Sequence, residues 1–437
     1  MITKLKVLLI FTGLLSAGLV AGQYSVRGGK GTPLLARSDL KYGIDVYLLD
    51  GLEGAKVSFT SDKAGTHKWF KYCEKASDAE PVECLQSGYT STIYELEDGW
   101  GYFVESPETL WRYVWIIDYS KYVPKFFGMD VQNDGSECDF LNLVADVEAE
   151  PLEYVLPSSN VKFLERDYIL SYTALEWDKD AKEFFETDVQ TTFIHLNSMY
   201  LENPPLKNTV FTLSGDEYAR HFGYEQSVSL EYEAVAIESH ATAETDRAYP
   251  DNEVHDSGSD LGGSAPVEYL FTAYANEPLA GLFIWKVDKV NPDKSTTNVA
   301  IFKNKEFKYR FEEEGTFSVN LEVSGAATNC VDMSNSFNVN VGETFVKIPN
   351  AFSPGSSPGV NDEFRISYRS VVSFRASIFN RWGNLLYRWT DPSKGWDGRV
   401  NGKLVPTGAY YVIVEYTDAK GKRHTESRDV NILISSK

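Results

Sequence analysis

Short runs rich in Val, Ile, Phe, Tyr and Thr recur between turn residues along almost the whole chain, and long windows with helical spacing of apolar residues are nearly absent. Examples are "AKVSFTS", "THKWFKYC", "RDYILSYTALEW", "NTVFTLS" and "GTFSVNLEVSG". A period of two puts alternate side chains on opposite faces of a strand, so one face of each run can be buried. Many such runs separated by Gly, Pro, Asn and Asp predict an all-β protein built as a series of sandwiches. The segment "GDEYARHFG" is the one place where a single helical turn is expected between strands.

The runs group into units. In residues 23–124 a strand carrying Trp69 precedes an aromatic strand around Tyr113 and Trp115. This resembles an immunoglobulin-like sandwich, in which an inward Trp fills the space between the sheets, although Ser58 and Val114 or Trp115 stand where that family's inter-sheet disulfide would be sought. Residues 125–245 repeat the grammar and read as a second immunoglobulin-like unit. Residues 246–266, "DRAYPDNEVHDSGSDLGGSAP", have no apolar period and read as an acidic linker or loop. In residues 267–345, Trp285 and the run Phe311, Gly315, Phe317, Val319, Leu321 resemble a PKD domain, with "KVDKVNPDK" in place of that family's Gly-Asp-Gly turn. Residues 346–437 form the last unit.

Apolar content of 43% marks a folded rather than a disordered chain. The net charge of −21 is unevenly spread. Residues 346–437 hold fourteen Lys and Arg against eight Asp and Glu, a local +6, which leaves −27 on the rest. An acidic body of this kind excludes nucleic acid as a partner, since phosphate binding rests on basic surface. Lys4 and Lys6, the apolar run of residues 7–20 and then Ala21 and Gly22 have the form of a secretory signal peptide, residues 1–22. No later segment is apolar enough for a membrane anchor after its removal. In an oxidising compartment, Cys73 and Cys84, which flank "EKASDAEPVE", are expected to pair across neighbouring strands, with free thiols as the alternative.

In the last unit Phe374, Ala376, Ile378 and then Tyr411, Ile413 alternate as half-buried strands do. Trp382-Gly383 and Asp397-Gly398 supply tight turns, Asn401-Gly402 a hairpin turn, and Trp396 with Pro406, Gly408 and Tyr410 is expected to close the core. The ordered set Pro349, Asn350, Phe352, Pro354, Asn361, Asp362, Phe364, Asn380, Arg381, Trp382, Gly383, Gly395, Trp396, Asp397, Gly398, Gly402, Pro406, Gly408 and Tyr410 resembles the gliding-motility-associated C-terminal domain, the type B sorting domain of the type IX secretion system. Gly355, Ser356, Ser357, Pro358 and Gly359 replace the family's Asn-Gly-Asp-Gly turn, so an acidic turn ligand is lost. The resemblance implies export across the outer membrane to the cell surface or the medium, with the type IX machinery as partner.

Chemistry-bearing patterns are sparse in the body. His67, His195, His221, His240, His255 and His424 are scattered, without an HExxH or Gly-x-Ser-x-Gly motif. Asp246, Asp251, Glu253, Asp256 and Asp260 fit no calcium-loop spacing, and a solvated linker is the simpler reading. Neither a metal nor another cofactor is expected. Trp100, Tyr102, Trp111 and Tyr119 offer either core packing or a sugar-stacking platform. The expected function is that of a secreted, surface-displayed, non-catalytic adhesin-like or structural protein, whose body would meet a surface polysaccharide or a host glycan or protein. A glycan-binding module and a hydrolase on a β scaffold are the alternatives. A buried carboxylate pair in a cleft would favour the hydrolase.

Overall fold

The computed structural model describes residues 23–106, 112–132, 137–254, 261–355 and 361–433. The expected signal peptide, Trp111, His255, Asp256, Asp260 and residues 356–359 lie outside the described residues. The chain is nearly all β, and Glu217–Phe222 is the α-helix among the described residues. Asp216 caps its first turn through Ala219 N, and Gly223, in the left-handed region, ends it.

The first sandwich packs the sheet Gln23–Arg27, Lys56–Thr60, Thr90–Ile93, Leu85–Ser87 against a six-stranded sheet containing Leu34–Asp39, Ile44–Leu49, Tyr113–Asp118, Trp100–Glu105, Lys68–Tyr72 and Glu80–Val82. Trp69 lies between the sheets, and its indole N–H donates to Ser91 Oγ at 2.8 Å. The six-stranded sheet is covered on both faces. Val114 and Ile116 face the partner sheet, whereas Trp115 and Ile117 meet Leu152, Tyr154, Leu164 and Tyr218 of the next unit. A strand buried on both faces needs a continuous apolar run, which explains "YVWII" where alternation would otherwise stand. Asp216 sits fully buried at this junction and accepts from Tyr119 Oη at 2.6 Å and Arg166 Nη1 at 2.5 Å.

The cysteine pairing differs from expectation. Trp69 stands opposite Val82 and Lys71 opposite Glu80, so the antiparallel register carries Cys84 toward His67 and away from Cys73. Cys84 Sγ accordingly lies 3.8 Å from the His67 carbonyl. Six residues of extended strand, roughly 20 Å, separate that position from Cys73. Both thiols are free. The disulfide instead joins Cys138 to Cys330, which are 192 residues apart and belong to the second and third sandwiches.

The second sandwich combines Lys125–Val131, Leu141–Glu148, Met199–Leu201 with Glu183–Phe193, Tyr168–Asp178, Thr209–Gly215, Gln226–Tyr232 around Leu143, Leu170, Phe211 and Leu213. Ser239–Glu244, assigned to this unit from sequence, pairs with Val267–Ala275 and is an edge strand of the third sandwich. Leu261–Gly263 also joins that sandwich, in parallel with Ser336–Val341. Trp285, Phe311, Phe317, Val319 and Leu321 fill its core.

In the segment between these two strands, the described residues 245–254 are not a solvated linker. Asn252 and Glu253 are buried, and Arg247 pairs with Glu253 while donating to the carbonyls of Ser264 and Pro266. Asn252 Nδ2 donates to the Ile366 and Pro392 carbonyls at 2.8 Å each, and Tyr368 N donates to Asn252 O at 3.1 Å. Residues 245–254 are thus a strap that meets the last unit at Asn252.

That unit holds a five-stranded sheet of Ala351–Phe352, Arg423–Ile432, Gly408–Asp418, Val371–Phe379 and Leu385–Trp389, in that order. Phe374, Ala376 and Ile378 point inward as expected. On the next strand Tyr410 closes the core as expected and Ile413 is half-buried, but Tyr411 turns outward. Tyr410, Val412 and Val414 are buried, and Tyr411 is 47% exposed. The pairing of Ile378 with Val412 sets this phase, and a slip of one residue would turn every side chain to the other face.

Candidate recognition surface of the C-terminal unit

The motif residues of the last unit separate into an inner and an outer set. Trp396 is fully buried among the rings of Phe352, Tyr387 and Tyr410, and its indole N–H donates to the Arg399 carbonyl at 2.9 Å. Its backbone forms a two-way bridge with Phe364. Gly398, at φ +76°, completes the turn. A Cβ there would stand 3.0 Å from Pro354 Cγ and 3.3 Å from the Phe352 ring, so both backbone and space call for glycine. Asn401 and Gly402 both have positive φ and close the hairpin between Arg399–Val400 and Lys403–Leu404. Asn361 and Asp362 hold the ends of the preceding loop, through Ser353 N to Asn361 O at 2.9 Å and Gly355 N to Asp362 Oδ1 at 3.0 Å. Pro349 is half-buried, Asn350 is exposed and accepts from Asn431 N, and Gly395 lies against the Phe364 carbonyl.

The outer set lies around one groove. Asn380 Oδ1 accepts from Trp382 N at 3.0 Å and Asn384 N at 2.9 Å, and Gly383 N donates to Asn380 O. This side-chain-braced turn leaves Trp382 70% exposed, with the Arg381 guanidinium 4.4 Å from its ring centre. Pro406, Gly408 and Tyr410 form the opposite wall. Tyr410 Oη donates to Pro406 O at 2.8 Å, and burial pushes its phenol pKa up against the opposing effect of Arg381. Between the walls is a cavity of about 300 Å³, with Leu386 and Val405 in its lining. Arg381 is the charged residue of that lining.

A larger hollow of about 530 Å³ lies on the second sandwich, lined by Ser171, Thr173, Glu186, Asp188, Gln190 and Lys207 among others. Glu186 and Asp188 are exposed there, Glu186 pairing with Lys207 and Asp188 accepting from Thr173 Oγ1. Buried carboxylates are engaged elsewhere: Asp45 with Arg112, Asp50 with the Tyr224 hydroxyl, Asp118 with Gly51 N, Ser120 Oγ and Lys121, Asp216 with Arg166 and Tyr119, Glu253 with Arg247, and Asp418 with His424. Hydrogen bonding from His424 holds the Asp418 carboxyl below the usual range. His67 is a core residue bonded to Ser61 and Ser91. Of the aromatics considered for a sugar platform, Tyr102 and Tyr119 are core residues and Trp100 is half-buried beneath Lys71 Nζ. Burial of Tyr102 and Tyr119 and the Lys71 ammonium over the Trp100 ring leave these three without a shared exposed face. No group of three or more metal-ligating side chains, and no helix long and apolar enough to cross a membrane, occurs among the described residues.

Comparison with known proteins bears on two of the units. Residues 346–430 match the model of the CHU_C Type IX secretion signal domain, and residues 130–230 match that of the Fibronectin type III domain. The chain therefore carries a type IX secretion signal domain behind fibronectin- and immunoglobulin-like sandwiches, which supports export across the outer membrane. No curated protein matches. Among solved structures, one titled "Ca2+-stabilized adhesin helps an Antarctic bacterium reach out and bind ice" is 11% identical, with 95% of this chain and 99% of that chain covered and a TM-score of 0.19. Dimeric latent PorU from Porphyromonas gingivalis is 10% identical over 75% of this chain and 36% of that one, with a TM-score of 0.16. Scores this low carry no functional argument.

Proposed function

We propose that this chain is a non-catalytic surface protein of adhesin-like or structural type, delivered by the type IX machinery through its last unit. The observation that carries the reading is the match of residues 346–430 to the secretion signal domain, on a unit whose positive charge contrasts with the acidic body. The body suits spacing and display. Its three sandwiches, the third read as PKD-like, are joined by buried contacts and a disulfide, and their loops are available at the sandwich ends to meet a polysaccharide, a host glycan or a host protein. Each buried carboxylate already has a hydrogen-bond or ion-pair partner within the fold, which favours this reading over a hydrolase.

Removal of residues 346–437 tests the delivery step. In the native host the truncated body is expected in the periplasm, inaccessible to protease added to intact cells, while the full chain is shaved from the surface. Surface delivery of the truncated protein at the full-length level would overturn the reading.

A further inference from the structure

The groove between Trp382 and Pro406 has the character of an interaction site, and its chemistry narrows the occupant. Trp and Arg dominate binding energy at protein interfaces. Here the two are adjacent, stacked on each other, and held out from the domain by the Asn380 turn. A braced turn loses little freedom on binding, which favours affinity. Arg381 has no carboxylate partner among the described residues, as is also true of Arg388, Arg423 and Arg428 of this unit, but of these Arg381 is the one in the groove lining, where it stacks on Trp382. The Tyr410 hydroxyl already donates to Pro406 O, so the cavity presents a mixed lining, with Trp382, Leu386, Val405 and Pro406 beside Asn380 and Thr407, and Arg381 as its cation. The charge pattern points the same way. An acidic partner is repelled by a body of −27 and drawn to a unit of +6.

We propose that this groove is a docking cleft for an acidic peptide segment of the export machinery. An apolar side chain of that segment sits between Trp382 and Pro406, and a neighbouring carboxylate pairs with Arg381. A peptide fits better than an anionic saccharide or lipid headgroup because the lining holds Leu386, Val405 and Pro406 beside its single cation. This inference rests on the delivery reading above and adds where, and with what chemistry, the signal domain is read.

The test uses the full-length chain in its native host, with Arg381→Glu, Arg381→Lys and Trp382→Ala compared with the deletion of residues 346–437. Arg381→Glu and Trp382→Ala are expected to lower the protease-shaved surface fraction at least tenfold, with periplasmic accumulation and an unchanged melting curve of the purified chain. Arg381→Lys keeps the charge and should stay within about threefold of wild type. If both disruptive variants reach the surface within twofold of wild type while the deletion is retained, the groove is not the docking site and the delivery reading stands. If the deletion itself is exported, the delivery reading fails instead. A photoreactive amino acid at Thr407, in the groove lining, gives an independent readout, sequenced by mass spectrometry. Crosslinking to an Asp- or Glu-containing segment of a membrane-associated protein supports the proposal. Crosslinking to a second copy of this chain, to a saccharide or lipid, to a segment without acidic residues, or to nothing overturns it.

Discussion

Trp382 and Trp396 are the same residue type in adjacent turn motifs, and they have opposite fates. Trp396 has its N–H satisfied by Arg399 O and three rings around it, so it behaves as a core plug. Replacing it by Ala is expected to cost about 3–5 kcal/mol, the usual loss for a buried large aromatic. In a thermal melt of the full chain, the transition of the last unit should fall well below that of wild type. An unchanged melt would show that Trp396 is not part of the core. The inward placement of Trp396 was legible in the sequence because the strand after it needed a large apolar partner. The outward placement of Trp382 was not, because a Trp-Gly turn has no period to reveal its face.

Elements behave differently from the residues in them. The strap around Asn252 has no hydrophobic pattern, so its sequence reads as a linker, but one amide fastens it by donating to two carbonyls of the signal domain. Asn252→Ala removes the donor from both, and leaving buried polar groups unpaired costs about 1–3 kcal/mol. The expected readout is local. Amide exchange at Tyr368, whose N–H bonds the strap backbone, should accelerate, while exchange at Trp69 in the first sandwich stays unchanged. Equal exchange at Tyr368 in variant and wild type would mean that the strap does not hold the domain. Ser239–Glu244 illustrates the same limit. Its place in the chain put it in the second unit, but its neighbour, Val267–Ala275, was a matter of tertiary pairing.

At the scale of the whole molecule the disulfide ties the second sandwich to the third over 192 residues. Closing so long a loop stabilises a fold by at most about 5 kcal/mol on a chain-entropy account. The double variant Cys138→Ser/Cys330→Ser is expected to lower the first melting transition. Peptide mapping of the native protein should find Cys73 alkylated and Cys138 linked to Cys330, and a Cys73–Cys84 peptide would contradict this arrangement.

Local pattern determined the all-β class, the inward placement of Trp396, the Asn401-Gly402 hairpin and the basic character of the last unit. These depend on alternation, on turn chemistry and on charge, which are properties of neighbouring residues. Tertiary structure alone decided which cysteines meet, which sandwich owns Ser239–Glu244, whether Tyr410 or Tyr411 faces the core, and that the residue 380–383 turn and Pro406 frame one groove. Each of these is a contact between segments distant in sequence. Strand register and domain packing set such contacts, and no local period encodes them.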